Sequence, residues 1–475
     1  MTKVSIAPMQ QSIRSVQVQA NTSRPSPRSS TFRAAGSVVG PAAKNTTDSY
    51  KPGKWDIFML GITIVIGGQY FCWNAGISAG LWSFFIAYLL IGTAYVALCC
   101  CTAEITGALP FAGGAYGLAR CTLGFYPAFM IGCCEALEYI AYVSTSTIAF
   151  VDLVVDAVPE AKPIRPLLWG LFYLSALIFH IKGGRAFWVF NLVLGVVSLL
   201  IVLLYCIGSL PFVNFARYAA DSNLEFVGGF QGFMKALPLA AWFFVGVEAL
   251  PMASGQVEQA KHVVPTAQVG CVLTLFGTGI FVYFITVSLP PGIASLPTEL
   301  VPFDNGFTLL LDFPRDCAIS TSNLRHRVWI HVVLWKTYCG NGDVQHETPY
   351  AALIAGTTVS YALCLVVYWA PSIGQYLFNI CMLAGFMSYT EFRSPFGSWG
   401  ALYSMLVWVL SIVGIVVFQG NGSVETFVFI TVVALLTLFY FVYARKRQTF
   451  SPQENRVMLV AHVTKFNIKK VAAAQ

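Results

Sequence analysis

The chain has 475 residues, 57% of them hydrophobic and only 10% charged, with a mean hydropathy of +0.69. A soluble globular chain carries about 25% charged residues, so this composition excludes an ordinary soluble domain and predicts an all-α polytopic membrane protein. The formal net charge of +7 sits in the ends and loops and does not describe a nucleic-acid surface.

Residues 1–54 are polar and rich in Ser, Thr, Gln and Pro, with Arg14, Arg24, Arg28, Arg33 and Lys44 but no acid before Asp48. They lack the apolar core of a secretory signal. They read as a disordered cytoplasmic tail whose charges keep it inside; a mitochondrial transit segment is the other reading of such a composition. Residues 55–445 then hold eleven apolar runs, at Trp55–Ser78, Leu81–Leu109, Phe125–Val155, Leu167–Ile181, Phe187–Leu210, Phe230–Val257, Ala267–Leu289, Tyr350–Ala370, Ile373–Thr390, Trp399–Gln419 and Val424–Ala444. The fourth and ninth are short for a crossing. Residues 446–475 form a second tail.

Lys and Arg in the short loops orient the bundle. With the first tail inside, Arg120, Lys182, Arg185 and Lys261 fall inside, and so does the basic end Arg445, Lys446, Arg447. Both ends inside require an even number of crossings, and eleven is odd. The gap falls at residues 312–348, which hold Arg315, Arg325, Arg327, Lys336, His326, His331 and His346. Their best apolar piece, Val328–Leu334, is too short to cross. The expectation is a span lost from this sequence, through an unspliced intron or a frame error; a basic external loop is the alternative.

The sixth run carries Glu248 between Gly246 and Pro251, preceded by Trp242, Phe243 and Phe244. A carboxylate at mid-membrane depth costs ~2.5–3.5 kcal/mol, and Gly and Pro weaken the helix around it. The first run carries Gly67, Gly68 and Gln69 at its middle. Close packing alone explains many membrane glycines. Here, however, the first and sixth runs are corresponding members of two five-span halves, and both are interrupted. That pairing points to an inverted-repeat transporter whose loose backbone ends bind substrate. An aromatic at Trp242 or Phe244 would cover a bound ammonium, or be core or lipid-facing.

In the third run Glu135 and Glu138 lie three apart, on one helix face. They either face a functional interior or join helices by hydrogen bonds. Apart from Lys235, near the start of the sixth run, no Lys or Arg lies in the interior of any run, so the lining suits a cationic amine, protons, or both. Glu248, with Glu138 and Glu135, is the candidate proton-coupling set. The 13 Cys lie mostly in apolar runs without paired spacing, and the histidines are not at metal spacing, so no disulfide, metal site or cofactor is expected. Neither a nucleophile–base pairing nor a P-loop is present, which argues against an enzyme and an ATP-driven pump.

Four stretches resemble the amino acid–polyamine–organocation permease superfamily, most closely its ethanolamine-permease and amino-acid-permease branch. They are Gly67 to Asn74; Ala103 to Tyr116, with Glu104, Pro110, Gly113 and Gly114; Trp242 to Glu248; and Glu347 to Ala351. The resemblance implies a leucine-transporter-like fold of two inverted five-helix repeats plus two extra helices, working by alternating access. It implies substrate groups meeting Gly67, Gly68, Gln69, Gly246 and Glu248 under Trp242 or Phe244. Coupling to protons or exchange against a counter-substrate is common there. Two departures stand out: Gly255, Gln256, Gln259 and Ala260 replace acidic and Asn-Pro-type residues after the sixth span, and the eighth helix is missing or replaced. The expectation is therefore a multi-pass permease of the plasma membrane, or of an organelle, moving an amino acid or small amine. A non-transporting homologue acting as sensor or scaffold is the alternative.

Overall fold

A computed structural model describes residues 50–70, 73–109, 114–182, 184–299, 301–303, 305, 306, 350–370, 379, 385, 397–419, 422–446, 448–450 and 455. By contacts the chain separates into Met1–Asp48 and Ser49–Gln475, and every described residue belongs to the second unit. The expected tail at 1–49 and the anomalous segment at 312–348 lie outside the described residues. Only Asn379 and Gly385 of the expected ninth run lie inside them.

Among the described residues the secondary structure is helical throughout, with no β-strand. The principal helices are α1 (Lys54–Val65), α2 (Leu81–Ala108), α3 (Gly114–Thr122), α4 (Phe125–Ala157), α5 (Arg165–Lys182), α6 (Gly184–Ser209), α7 (Gly229–Ala236), α8 (Ala260–Val287), α9 (Tyr350–Trp369), α10 (Gly397–Val413) and α11 (Gly422–Val442). Among the described residues seven segments are long and apolar enough to cross a bilayer. A spanning helix must satisfy its backbone internally, and α2, with 28 residues, exceeds the ~20 needed. The chain is an all-α, multi-pass integral membrane protein.

Seven is fewer than the eleven runs in the sequence, and the difference has identifiable causes. The first run breaks after Val65, so neither piece is long enough alone. The fourth begins and ends in Arg165 and Lys182, leaving too little apolar length. The eighth is the 20-residue α9, of which only Ile354–Trp369 has described side chains throughout. The ninth falls almost wholly outside the described residues.

The sixth run is the centre of the bundle. In its best window 94% of residues are buried inside the protein, against 17% for the last span. Helix α8 packs along α1 and α2, and α1 also packs on α6. On the other side α4 packs against α3 and α9. One continuous hydrophobic cluster contains both broken spans, including Ile64, Tyr70, Trp73, Trp242, Phe244 and Val247.

Candidate functional site

Both candidate spans are interrupted at mid-length. In the first, α1 ends at Val65, Ile66 caps it, and a single turn, Gly67–Tyr70, follows. A short 3-10 helix lies at Asn74–Ala79. In the sixth, α7 gives way to a 3-10 stretch, Leu237–Phe243, a turn through Gly246, and a second 3-10 stretch, Val247–Gln256. Pro238 starts the first stretch and Pro251 lies inside the second, each removing a backbone donor. The departure from α geometry is therefore longer than the Gly246–Pro251 break expected from sequence.

The two breaks meet at their glycines. A Cβ added at Gly68 would lie 1.8 Å from the carbonyl oxygen of Trp242. A Cβ at Gly246 would lie 2.5 Å from Cγ2 of Ile64. Each glycine thus lets the other span come to van der Waals contact.

Gly246 adopts φ +102°, a left-handed conformation that glycine alone takes readily. The turn aims its N–H at the side chain two residues on, donating to Oε1 and Oε2 of Glu248, each at 3.0 Å. Tyr139 Oη on α4 donates to Oε1 at 2.6 Å. Glu248 is buried. Its carboxylate therefore caps the start of its own half-helix, where a negative charge is favoured, and ties it to α4.

Gln69 bridges the first break to α8. Its Nε2 donates to the Leu275 carbonyl at 2.9 Å, and its Oε1 accepts from Thr278 Oγ1 at 3.0 Å. Gln268, also on α8, donates from Nε2 to the Val247 carbonyl at 3.3 Å. Both breaks thus have freed backbone or side-chain groups satisfied by the same neighbouring helix.

The two candidate aromatics turn to different neighbours. The Trp242 ring faces that of Tyr142 on α4, at 5.5 Å between centroids. Phe244 packs among Tyr88, Tyr95 and Phe276 of α2 and α8. Trp242 is thus the one on the acid-bearing helix.

On α4, Glu135, Glu138 and Tyr139 share one face, and both acids are buried at 1% exposure. Glu138 meets the expected ninth span, since a Cβ at Gly385 would lie 2.5 Å from its Oε1. Among the described residues neither oxygen of Glu135 has a hydrogen-bond partner. Among those residues no group of His, Cys, Asp and Glu is arranged to hold a metal ion.

The sequence alone did not single out Tyr139, Gln268 or Gly385. Tyr139 lies four residues after Glu135, on the same helical face, and that spacing was a signal available for it. Gln268 and Gly385 carried none, because their contacts cross between distant spans.

Comparison with known proteins agrees with this architecture. Residues 53–313 match the family described as "Amino acid permease". An uncharacterised transporter of Rhizobium meliloti is 24% identical over 71% of this chain and 76% of its own length. A cadaverine/lysine antiporter of Escherichia coli is 27% identical over 37% of this chain and 36% of its own. A methylthioribose transporter of Bacillus subtilis is 25% identical over 44% and 49%. These relatives are transporters by name, and the matched region contains both broken spans: the chain belongs to the amino acid permease family.

Proposed function

We propose that the protein is a secondary transporter that moves an amino acid or a small, ethanolamine-like amine across the plasma membrane by alternating access. The observation that carries this is the meeting of two interrupted spans, Gly68 against Trp242 and Gly246 against Ile64, beside a buried acid. Broken helices at the middle of a bundle are where transporters of inverted-repeat design bind substrate. Gly67, Gly68, Gln69 and Gly246 supply backbone and amide groups, and Glu248 supplies the acid. Trp242 and Phe244 are the candidate aromatic covers. Glu135, Glu138 and Glu248 form the coupling set for protons or a counter-substrate. The name of the cadaverine/lysine antiporter favours amines and exchange.

The test is uptake of labelled amines and amino acids into proteoliposomes containing the purified chain, with and without a pH gradient. Saturable uptake is expected; its absence for every compound counts against transport.

A second reading has its own support. The family match stops at residue 313, where the His- and Arg-rich segment begins. If the eighth helix is truly absent, the chain is a non-transporting homologue serving as a sensor or scaffold. That reading requires a transcript encoding residues 312–348 as they stand.

A further inference from the structure

We propose that Glu135, rather than Glu248, receives the exchangeable positive charge of the transport cycle, a proton or the ammonium of the substrate, while Glu248 is a positioning residue for the broken sixth span. This rests on the transport reading above and divides the labour within its acid set.

The two carboxylates have opposite environments. That of Glu248 accepts from Gly246 N through both oxygens and from Tyr139 Oη. Those bonds hold the turn that follows Trp242, so the charge of Glu248 is spent on the shape of the break. Glu135 is 1% exposed, and among the described residues neither of its oxygens has a partner. A buried carboxylate in that situation does not stay bare; it takes a proton or a cation.

The titratable groups that interact electrostatically with Glu135 are Glu248 on the sixth span and Cys134 and Tyr139 on its own helix. None of them carries a positive charge that would satisfy it. Glu138, one turn along, is turned to Gly385. A second acceptor is left over at the same break: Oε1 of Gln268 is fully buried and has no partner among the described residues, while its Nε2 donates to the Val247 carbonyl. A buried carboxylate without donors is satisfied by a proton or an N–H-rich cation.

The test uses the full chain in proteoliposomes, with wild type, Glu135→Gln, Glu135→Asp and Glu248→Gln compared. Elution as a single species on size exclusion and the thermal midpoint are recorded for each. If a proton is the charge, Glu135→Gln abolishes the response to a pH gradient while exchange at equal pH continues. If the ammonium is the charge, Glu135→Gln raises KM for cationic amines at least tenfold and leaves zwitterionic amino acids within twofold. Glu135→Asp, which keeps the acid, restores either property in part. Glu248→Gln lowers the thermal midpoint and kcat but keeps the wild-type pH response and amine preference. Wild-type-like pH response and amine KM in Glu135→Gln overturn the assignment. So does loss of these properties in Glu248→Gln alone, or equal loss in Glu135→Gln and Glu135→Asp. Absence of uptake by folded wild type refutes the transport reading itself, which is a separate outcome.

Discussion

Gly68 and Trp242 touch through the main chain: a side chain of even one carbon at position 68 would stand 1.8 Å from the Trp242 carbonyl oxygen. The obstacle is backbone, which does not swing aside as a side-chain tip does. Overpacking of this kind costs about 1–3 kcal/mol or more. Gly68→Ala is therefore expected to lower the thermal midpoint in detergent and to abolish uptake. Gly277→Ala is the control, since nothing lies within 4 Å of a Cβ there and α8 gains a better helix former. Equal stability of the two variants would show that the breaks are not in contact.

Tyr139→Phe removes one donor from Glu248 without changing ring volume. Hydrogen bonds to charged groups contribute roughly 1.5–3 kcal/mol. The variant should lose stability by about that amount in thermal or denaturant unfolding. Gly246→Ala should lose at least as much, because it combines a left-handed φ of +102° with a 2.5 Å clash on Ile64. A double variant should lose less than the sum, as both act on one carboxylate. Strict additivity would deny the shared role.

Lys51 Nζ lies 2.8 Å from Oε1 of Glu258, joining the segment before the first span to the segment after the sixth. Glu258 is the one acid between Gly255 and Ala260, and this pair uses it. The Lys51 hydrogen bond and charge hold the Glu258 carboxyl below its ordinary value. A carboxylate with a lowered folded value stabilises above its unfolded value, and the contribution disappears as pH falls through the folded one. The effect of Lys51→Gln should therefore be visible at neutral pH and vanish in acid below the ordinary Glu range. It should also shrink in high salt, because both side chains are exposed. A stability difference that persists in acid would exclude the pair as its source.

Sequencing the transcript across codons 312–348 should reveal an apolar stretch of ~20 residues that restores an even number of crossings. Identical coding would favour the non-transporting reading. Independently, Asn421 begins a glycosylation sequon in a loop expected outside, though it falls outside the described residues. Modification of Asn421 and none at Asn45 would support the orientation.

The breaks were legible because Gly67, Gly68, Gly246 and Pro251 punctuate otherwise apolar runs. Their extent was not, because the 3-10 geometry from Leu237 onward goes with packing on α2, and after Gly246 on α8 and α1, as well as with Pro238. The acids were legible from cost: Glu135, Glu138 and Glu248 are expensive at membrane depth, and all three are buried. What each one does was hidden. The partner of Glu248 is its own Gly246 amide, which only a left-handed turn presents. Trp242 and Phe244, two apart, were equivalent candidates for a cover in the sequence. The turn sends one to Tyr142 and the other to Tyr88 and Tyr95. Local pattern fixes where a helix fails; long-range contacts decide where its side chains then point.

Ligand-dependent thermal stabilisation of the purified chain tests most directly whether the meeting of the two broken spans is a binding site. A ligand that binds only the folded state at ~100 times its Kd adds about 2.7 kcal/mol, a readily measured rise in the unfolding midpoint. Wild type should show that rise with at least one small amine or amino acid. Trp242→Ala should need about 2- to 30-fold more ligand, the loss of a cation–π contact of ~0.5–2 kcal/mol. No stabilisation of folded wild type by any amine or amino acid, or an identical response in Trp242→Ala, would contradict a site at the junction.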